Sequence, residues 1–485
     1  MATETELKLS LSPQDARKLK DHPRLAALAP RRRLLRNTYY DTPRCDLTKL
    51  GVAVRFRQIG RQWLLTVKSG EPAGGGLARR NEWENPAVPG HFDFSFVEAD
   101  ELRQRLEALV PDLEPIFTTH FHRTIWHVQV EDSRIEVAFD RGHVQTGERR
   151  LPICEVEMEL IDGDIAGIFA LARALQTDLP LRPMVVSKAE RGYALHAGEA
   201  PKPFRAQRIS IIPTMTPEAA FRIIAFGCLE QLQRNEVRGP GQTDIEFVHQ
   251  ARVALRRLRS ALKLFKPVLS ESILAFGTAW KAMATTLGEA RNWDIFVGET
   301  LPALTMSLPT SPELLRLKRG SQREAARARR EVQGLFASAE YACLLLAFTE
   351  AVALLPETSD TPLDTFAHKR LGRLQRRAKR ITRECDDASW HPLRIRLKEL
   401  RYALEFFSPL WPHKHFKPYL AALNKIQNAL GLANDHQTAL LLLDRLGTPA
   451  GRADAWLRGR AALLTVQLPD AVHPWRATRP PWKRT

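Results

Sequence analysis

Cysteine is scarce in this chain, and the five that occur, Cys45, Cys154, Cys228, Cys343 and Cys385, never form a CxxC pair. That spacing indicates neither a cysteine-built zinc site nor a disulfide framework, and a reducing compartment is expected. Long apolar runs are missing as well, since the stretch around Leu344–Ala347 is too short to cross a bilayer. The first residues bring Glu4 and Glu6 where a signal peptide has a basic and then an apolar segment. A cytoplasmic protein with no membrane insertion is expected. The glycine run Gly74–Gly76 lacks GxxxxGK[ST] order, which leaves a flexible hairpin loop as its expected role rather than a phosphate cradle.

Acid is what the second part of the chain lacks. Residues 1–198 hold 28 Lys/Arg and 28 Asp/Glu, leaving 44 and 27 for residues 199–485, so the whole net charge of +17 sits in the second part. A neutral domain joined to one that attracts polyanions follows, and the 485 residues suffice for at least two cores.

The first part reads as strands at Thr5–Ser10, Val52–Ile59, Trp63–Lys68, Arg123–Val130, Arg134–Asp140 and Ile153–Leu160, with helical patterns near Pro13–Lys20, Asp100–Leu109 and Gly163–Gln176. Proline and small residues between Leu195 and Pro217 mark a boundary. The expected domains are 1–198, a linker at 199–216, a helical region at 217–465 and a tail at 466–485. Helical periodicity covers 217–236, 242–265, 270–300, 312–355, 362–384, 390–408, 416–443 and 450–464. Within it HQARVALRRLRSALKLF at 249–265 aligns without gaps to HPLRIRLKELRYALEFF at 391–407, and LGEAR at 287–291 answers LGLAN at 430–434. Two related helical bundles are implied.

Strand after strand in the first part directs charge to one face. Glu4, Glu6 and Lys8 alternate, as do Arg55 and Arg57, Thr66 and Lys68, Glu82 and Glu84, and Glu155, Glu157 and Glu159. Several strands present one dominant sign, which a merely solvated face has no reason to do. If the sheet closes into a barrel, these groups line it. Carboxylates on one side suit Mg2+ or Mn2+, and guanidinium and ammonium groups opposite suit phosphate oxygens. His120 and His122 precede Arg123 at i, i+2 spacing without a partnering acid motif, and structural or surface roles are expected for them.

The ExExK start, the VAVRFR strand, TVK, EVEMEL and the SKAERGYAL ending together resemble the CYTH, or triphosphate tunnel metalloenzyme, superfamily over nearly all of residues 1–195. The resemblance implies an eight-stranded antiparallel tunnel with flanking helices that hydrolyses triphosphate compounds. It implies metal binding by Glu4, Glu6, Asp140, Glu155, Glu157 and Glu159. Phosphate binding is implied for Lys8, Arg55, Arg57, Lys68, Arg123 and Lys188, with Glu4, Glu6, Lys8 and Lys188 central to catalysis. Arg36, Glu82, Glu84 and Arg191 extend the set. Inorganic triphosphate is the expected substrate, and a nucleoside or thiamine triphosphate the alternative.

On the 249–265 helix, Arg252, Arg256, Arg259 and Lys263 fall within about 60° of arc, with His249 at the edge and Leu and Ala opposite. His391, Arg394, Lys398 and Arg401 occupy the matching stripe of the second copy. The first stripe has no acid at i, i+4, and like charges kept across both copies suggest an anion partner. The HxxRxxxRRLRxxLxxF pattern and its copy resemble the CHAD domain over roughly residues 215–465, an all-α domain associated with polyphosphate binding. The resemblance adds Arg291 and Lys425, with Asn434 and Asp435 as further candidates. Glu405 replaces the base matching Lys263, and Asn292 stands where an acid is common. Basic side chains between the copies, from Arg316 to Arg330 and from Lys369 to Arg383, extend the positive character. Long-chain polyphosphate is the expected partner, association with polyphosphate granules the corresponding location, and nonspecific nucleic-acid binding or a noncatalytic scaffold the alternative.

Overall fold

A computed structural model describes residues 3–70, 74–237, 244–382, 390–447, 451–478, 480 and 482. Arg383 and Cys385 lie outside the described residues. The chain divides into two units, one of residues 1–203 with 338–354, the other of 204–337 with 355–485.

The first unit is a closed antiparallel barrel. Its strands are β1 (Thr3–Ser10), β2 (Arg31–Asp41), β3 (Val52–Ile59), β4 (Gln62–Ser69), β5 (Leu77–Pro86), β6 (Glu114–Val130), β7 (Ser133–Thr146) and β8 (Arg149–Asp162), with the two-residue β9 (Arg182–Pro183) beside β1. The order is β5-β4-β3-β2-β6-β7-β8-β1, and pairing of β5 with β1 closes the ring. Closure explains the one-sided charge, because alternate residues of each strand then face a lumen while their neighbours face the outer core. On β1, Glu4, Glu6 and Lys8 turn inward, and Leu7 and Leu9 are fully buried on the other face. Outside β3, β4 and β5, Val54, Phe56, Leu65, Val67 and Trp83 pack with Phe94, Val97 and Leu106, the last from the Asp100–Leu109 helix.

The helix Lys188–Ala197 packs against β6, β7 and β8. A capping box between Ser187 and Glu190 fixes its first turn, and Gly198, at φ 66°, ends it in the left-handed conformation. Gly192 is needed because a Cβ there would overlap the Phe117 ring. Its neighbours Ala189 and Tyr193 pack on Leu35, Phe117, Phe121, Val144 and Ile153. Gly74–Gly76 forms a buried turn rather than the expected flexible loop. Gly75, at φ 77°, lies so close to Thr349 that a Cβ would overlap its Oγ1. Thr349 belongs to the helix Ala339–Ala353, which also packs on the Ile165–Gln176 helix and places Glu350 3.1 Å from Arg173. The expected continuous helix 312–355 is therefore two, Pro312–Ala337 and Ala339–Ala353, with Ser338 capping the second.

The second unit is helical. Its duplication recurs in backbone detail: the helices Ile245–Phe265 and Trp390–Phe407 each end in a proline-containing 3-10 turn, Lys266–Val268 and Ser408–Leu410. The helices Glu271–Ile295 and His413–Arg445 then follow. Phe265 and Phe407 have nearly the same backbone angles, φ −92°, ψ 3° and φ −91°, ψ 0°. Their rings meet 5.8 Å apart, which places the two copies in contact at equivalent positions. A helix at Leu468–Ala477 occupies part of the expected tail and buries Trp475 completely. No single helix among the described residues is long and apolar enough to cross a membrane.

Candidate functional site

The barrel encloses a cavity of about 500 Å3. Register places its charges in rows. Glu157 lies between Ala138 and Lys8, Glu159 between Glu136 and Glu6, and Glu155 between Asp140 and Ser10. Across the ring, Lys68 faces Glu82, Thr66 faces Glu84, and Arg55 and Arg57 follow on β3.

Most of these charges already have partners. Lys188 Nζ lies 2.7 Å from Asp140 and 2.9 Å from Glu157, and it also pairs with Glu155. Arg123 grips Asp140 through two hydrogen bonds of 2.7 Å and donates a third to Glu157. Arg191 closes the group by donating to Glu155. Phe121 lies beneath this cluster, with Lys188 Nζ 5.2 Å and the Arg123 guanidinium carbon 5.7 Å from its ring centre. Gly142 makes room for Phe121, since a Cβ there would sit 2.5 Å from it. On the other wall Arg55 donates to the Tyr39 hydroxyl and to Glu82, each at 3.1 Å. Arg57 reaches Asn37 and Glu84. Lys68 pairs with Glu82 and, at 3.2 Å, with Glu4.

Electrostatics separate two groups of acids. Burial works against ionisation of Glu157, yet Lys188, Lys8 and Arg123 hold it well below the usual carboxylate range. Glu6, for which burial is again opposed by Lys8, is also held low. Glu82 behaves likewise: burial is outweighed by Lys68 and Arg55, which bring it down to about 2. Glu4 behaves in the opposite way: burial, only partly offset by Lys68 and reinforced by Glu82 and Glu159, pushes it up to about 8. Burial and then Glu136, Glu82 and Glu6 raise Glu159 to about 7, against the pull of Lys68. Glu4 and Glu159 are thus the lumen acids whose ionisation burial and like-charged neighbours disfavour, and a divalent cation beside them would favour the ionised form. The lumen-lining donors of this region are carboxylate oxygens, with no histidine or cysteine lining the cavity among the described residues, which suits a hard ion of the Mg2+ or Mn2+ type. Asp140, Glu155 and Glu157 also lie close enough to share an ion, but Lys188 and Arg123 stand among them.

Of the residues expected from sequence, Glu4, Glu6, Lys8, Arg55, Arg57, Lys68, Arg123, Glu157, Glu159 and Lys188 line the cavity. Asp140 and Glu155 are fully buried behind it, and Arg191 reaches it through Glu155. Arg36 does not face the lumen. Its neighbours Leu35 and Asn37 point inward, so alternation turns Arg36 to the outer surface, where it is exposed. Arg80 and Glu136 are members that the sequence reading misses. Arg80 lies 3.7 Å from Glu6, and Glu136 faces Glu159. The alternations Arg80–Glu82–Glu84 and Glu136–Ala138–Asp140 carry that information.

The helical unit gathers cations without such compensation. His249, Arg252, Arg256 and Arg291 of the first copy interact with one another, and Arg394 and Lys398 of the second join them. Burial, with Arg256, Arg394 and Arg252 around it, brings Lys398 down to about 6. Burial and then Arg256 and Arg394 lower Arg252 to about 10. Two acids act on this field: Asp435 opposes the shifts of Arg394 and Lys398, and Glu246 opposes that of His249. His249 Nδ1 and Arg394 Nε are buried without hydrogen-bond partners. Arg259 sits beside Arg256. Other expected members are engaged elsewhere or apart: Lys263 pairs with Glu399 at 3.0 Å and Arg401 with Glu405 at 3.3 Å. His391 and Lys425 are exposed. Arg257, next to Arg256 in sequence, is buried and donates to Gln231.

A closed antiparallel barrel with acids and bases facing one lumen, followed by a duplicated cationic helical region, defines a two-domain class. The chain belongs to it in a specific sense, carrying a CYTH domain at residues 2–193 followed by a CHAD domain at 223–444. Among curated proteins it is similar to an inorganic triphosphatase of Haemophilus influenzae, 34% identical over 203 residues, which are 40% of this chain and 55% of that protein. The chain thus spans about half the length of that relative. Among solved structures it is similar to the CHAD domain of Ricinus communis, with 32% identity, 57% of this chain and 98% of that one covered, and a TM-score of 0.49. A Hippeastrum protein described by a dominant triphosphatase activity matches at 19% identity over 41% of this chain and 97% of its own, with a TM-score of 0.31.

Proposed function

We propose that the barrel hydrolyses inorganic triphosphate to pyrophosphate and phosphate with the help of Mg2+ or Mn2+, and that the helical region binds long-chain polyphosphate. The observation that carries the first part is the make-up of the lumen: a cavity of about 500 Å3 sets Glu4 and Glu159, whose ionisation burial disfavours, among the bases Lys8, Arg55, Arg57, Lys68 and Arg123. The similarity to the inorganic triphosphatase of Haemophilus influenzae, over 40% of this chain, supports the same substrate.

Glu4, Glu6 and Glu159, with Glu136 behind them, would hold the metal, which supplies neutralisation of phosphate oxygens and a more acidic water. The chain's own bases do the rest. Arg55, Arg57 and Lys68 orient the phosphate chain, and Lys8, Arg123 and Lys188 stabilise charge gathering on the transferred group and the departing pyrophosphate. No thiol, hydroxyl or imidazole is needed as a nucleophile. Tyr39, Phe121 and Tyr193 are the lumen aromatics among the described residues, and Lys188 and Arg123 already occupy the face of Phe121, which favours a substrate without a base. For the helical region, four converging guanidinium groups, Arg252, Arg256, Arg291 and Arg394, with His249 and Lys398 among them, and the orphaned His249 and Arg394 nitrogens favour an anionic ligand. A cytoplasmic location at polyphosphate-rich bodies accords with this reading.

The test is phosphate release by the purified chain from inorganic triphosphate, ATP and thiamine triphosphate, with each metal and with chelator. The proposal expects the highest kcat/KM for inorganic triphosphate and no turnover after chelation. Turnover that survives chelation, or a higher kcat/KM for ATP, would overturn it.

A further inference from the structure

The outer wall of the barrel carries a cationic surface that the lumen chemistry does not use. Alternation places Arg36 of β2, His120 of β6 and His143 of β7 in one row across neighbouring strands, with Pro152 of β8 beyond them. One register level away lie Leu34, His122, Arg141 and Cys154, and one level the other way lie Thr38, Thr118, Gln145 and Arg150. None of these outward positions is acidic, although residues 1–198 as a whole hold equal numbers of acids and bases. Arg36, His122, Arg141 and Arg150 are exposed, and His120 and His143 are half-buried. The imidazoles of His120 and His143 stack with centroids 5.5 Å apart and planes within 10°. Burial, then His143, Arg36 and Arg150, hold His120 below its usual range. The charged groups that act on His120 are all basic.

We propose that this face is a second anion site, a track on which a linear phosphate chain lies across β2, β6, β7 and β8. The geometry favours that occupant. Three strand spacings from β2 to β8 cover roughly 14 Å, and Arg36, Arg141 and Arg150 place guanidinium groups on β2, β7 and β8 along that path, with the His120 and His143 imidazoles between them as hydrogen-bond donors. An unbranched chain with charge at every phosphorus can meet each of them in turn. A nucleic acid strand would find no exposed Phe, Tyr or Trp at these positions on which to stack its bases. A lipid surface would gain little, because Leu34 is the one large exposed apolar side chain among them. Three histidines could instead hold a soft metal ion, but the flanking guanidinium groups of Arg36, Arg141 and Arg150 repel cations and attract anions. The inference concerns the outside of the barrel and does not require the lumen to be a triphosphatase.

Histidine modification by diethylpyrocarbonate in the full chain, read peptide by peptide, tests it, with exposed His91 as internal reference. Medium-length polyphosphate in the presence of chelator should slow modification of His120, His122 and His143 several-fold while leaving His91 unchanged. The combined Arg36→Gln, Arg141→Gln and Arg150→Gln variant, at three exposed positions, should lose that protection and keep its circular dichroism. The Glu4→Gln chain should retain protection, which separates this outcome from the fate of the lumen reading. Protection should also persist with Arg252, Arg256 and Arg394 replaced by Gln. Unchanged rates with polyphosphate, loss of protection in that last background, or protection by single-stranded DNA, anionic vesicles or Zn2+ in place of polyphosphate would each overturn the proposal.

Discussion

The barrel lumen and the helical site both concentrate Lys and Arg, but they dispose of the charge in opposite ways. In the lumen Lys188, Arg123, Arg55, Arg57 and Lys68 each touch at least one carboxylate. In the helical site Arg252, Arg256, Arg394 and Lys398 press on one another, with Asp435 as a minor counterweight. The comparison teaches what each site is organised to receive. A lumen with internal counterions holds its groups in fixed geometry, and further ions must exchange with partners that are already in place. Uncompensated cations gain most from a polymeric anion, whatever its length.

The comparison can be broken most sharply at Lys188. Lys188→Met removes the ammonium from among the buried Asp140 and Glu155 and the half-buried Glu157, and breaking such a buried group costs about 3–5 kcal/mol. A large fall in Tm and loss of turnover are expected together, and a normal Tm by calorimetry would show that the acids find other partners. Glu4→Gln should lower triphosphate kcat by roughly a hundredfold or more, the scale of losing one charge-stabilising group, with Tm unchanged or raised. Full activity at saturating metal would remove Glu4 from the site.

In the helical site, replacing Arg252, Arg256 and Arg394 together by Gln should weaken polyphosphate binding and flatten its salt dependence by about 2 in log–log slope, at roughly 0.7 for each phosphate no longer neutralised. An unchanged slope in a fluorescence titration would place the ligand elsewhere. Lys398 provides a proton count. Its folded value of about 6 lies below its ordinary value, so above pH 6 the free protein holds it largely neutral, and a bound anion raises its affinity for a proton. Binding near pH 8 should therefore take up a proton, the uptake should vanish below pH 6, and Lys398→Met should abolish it, as read by calorimetry in buffers of different ionisation heat. By the same linkage the unfolded chain binds this proton more readily, so the group costs stability increasingly as pH falls from its ordinary range to about 6. The smallest effects are expected at Lys263→Gln, where Glu399 already takes the charge, and at Cys45→Ser. Both should leave turnover and polyphosphate affinity near the parent values, and a large loss in either would give that side chain a part in one of the two sites.

Much of the lumen is legible in the sequence because a period of two is visible without knowing the fold. The comb Glu155–Glu157–Glu159 and the pair Arg55–Arg57 could hardly face a dry core. What alternation cannot supply is which parity faces inward. Counting Arg36 among the phosphate ligands takes the wrong parity on β2, and a difference of one residue puts Asn37 and Tyr39 there instead. Strands β2 and β5 are hard to see because RRRLLRN and LARRNEWENP carry few β-branched residues, their strand character coming from partners on both sides. The helical wheel finds the right face for Arg252 and Arg256, but pairing of Lys263 with Glu399 joins residues 136 apart, beyond the reach of local periodicity. The helix Ala339–Ala353 reads as a continuation of its predecessor, since nothing local shows that its sides meet Gly75 and the Ile165–Gln176 helix.

The division of labour between the two sites is tested most directly by a crossed measurement on the full chain. Triphosphate turnover and polyphosphate affinity are measured for the parent, for Glu4→Gln, and for the triple Gln variant of Arg252, Arg256 and Arg394. Glu4→Gln should lose turnover and keep polyphosphate affinity, and the triple variant should keep turnover on inorganic triphosphate and lose affinity. Turnover unaffected by Glu4→Gln, or polyphosphate affinity unaffected by the triple variant, would contradict the account.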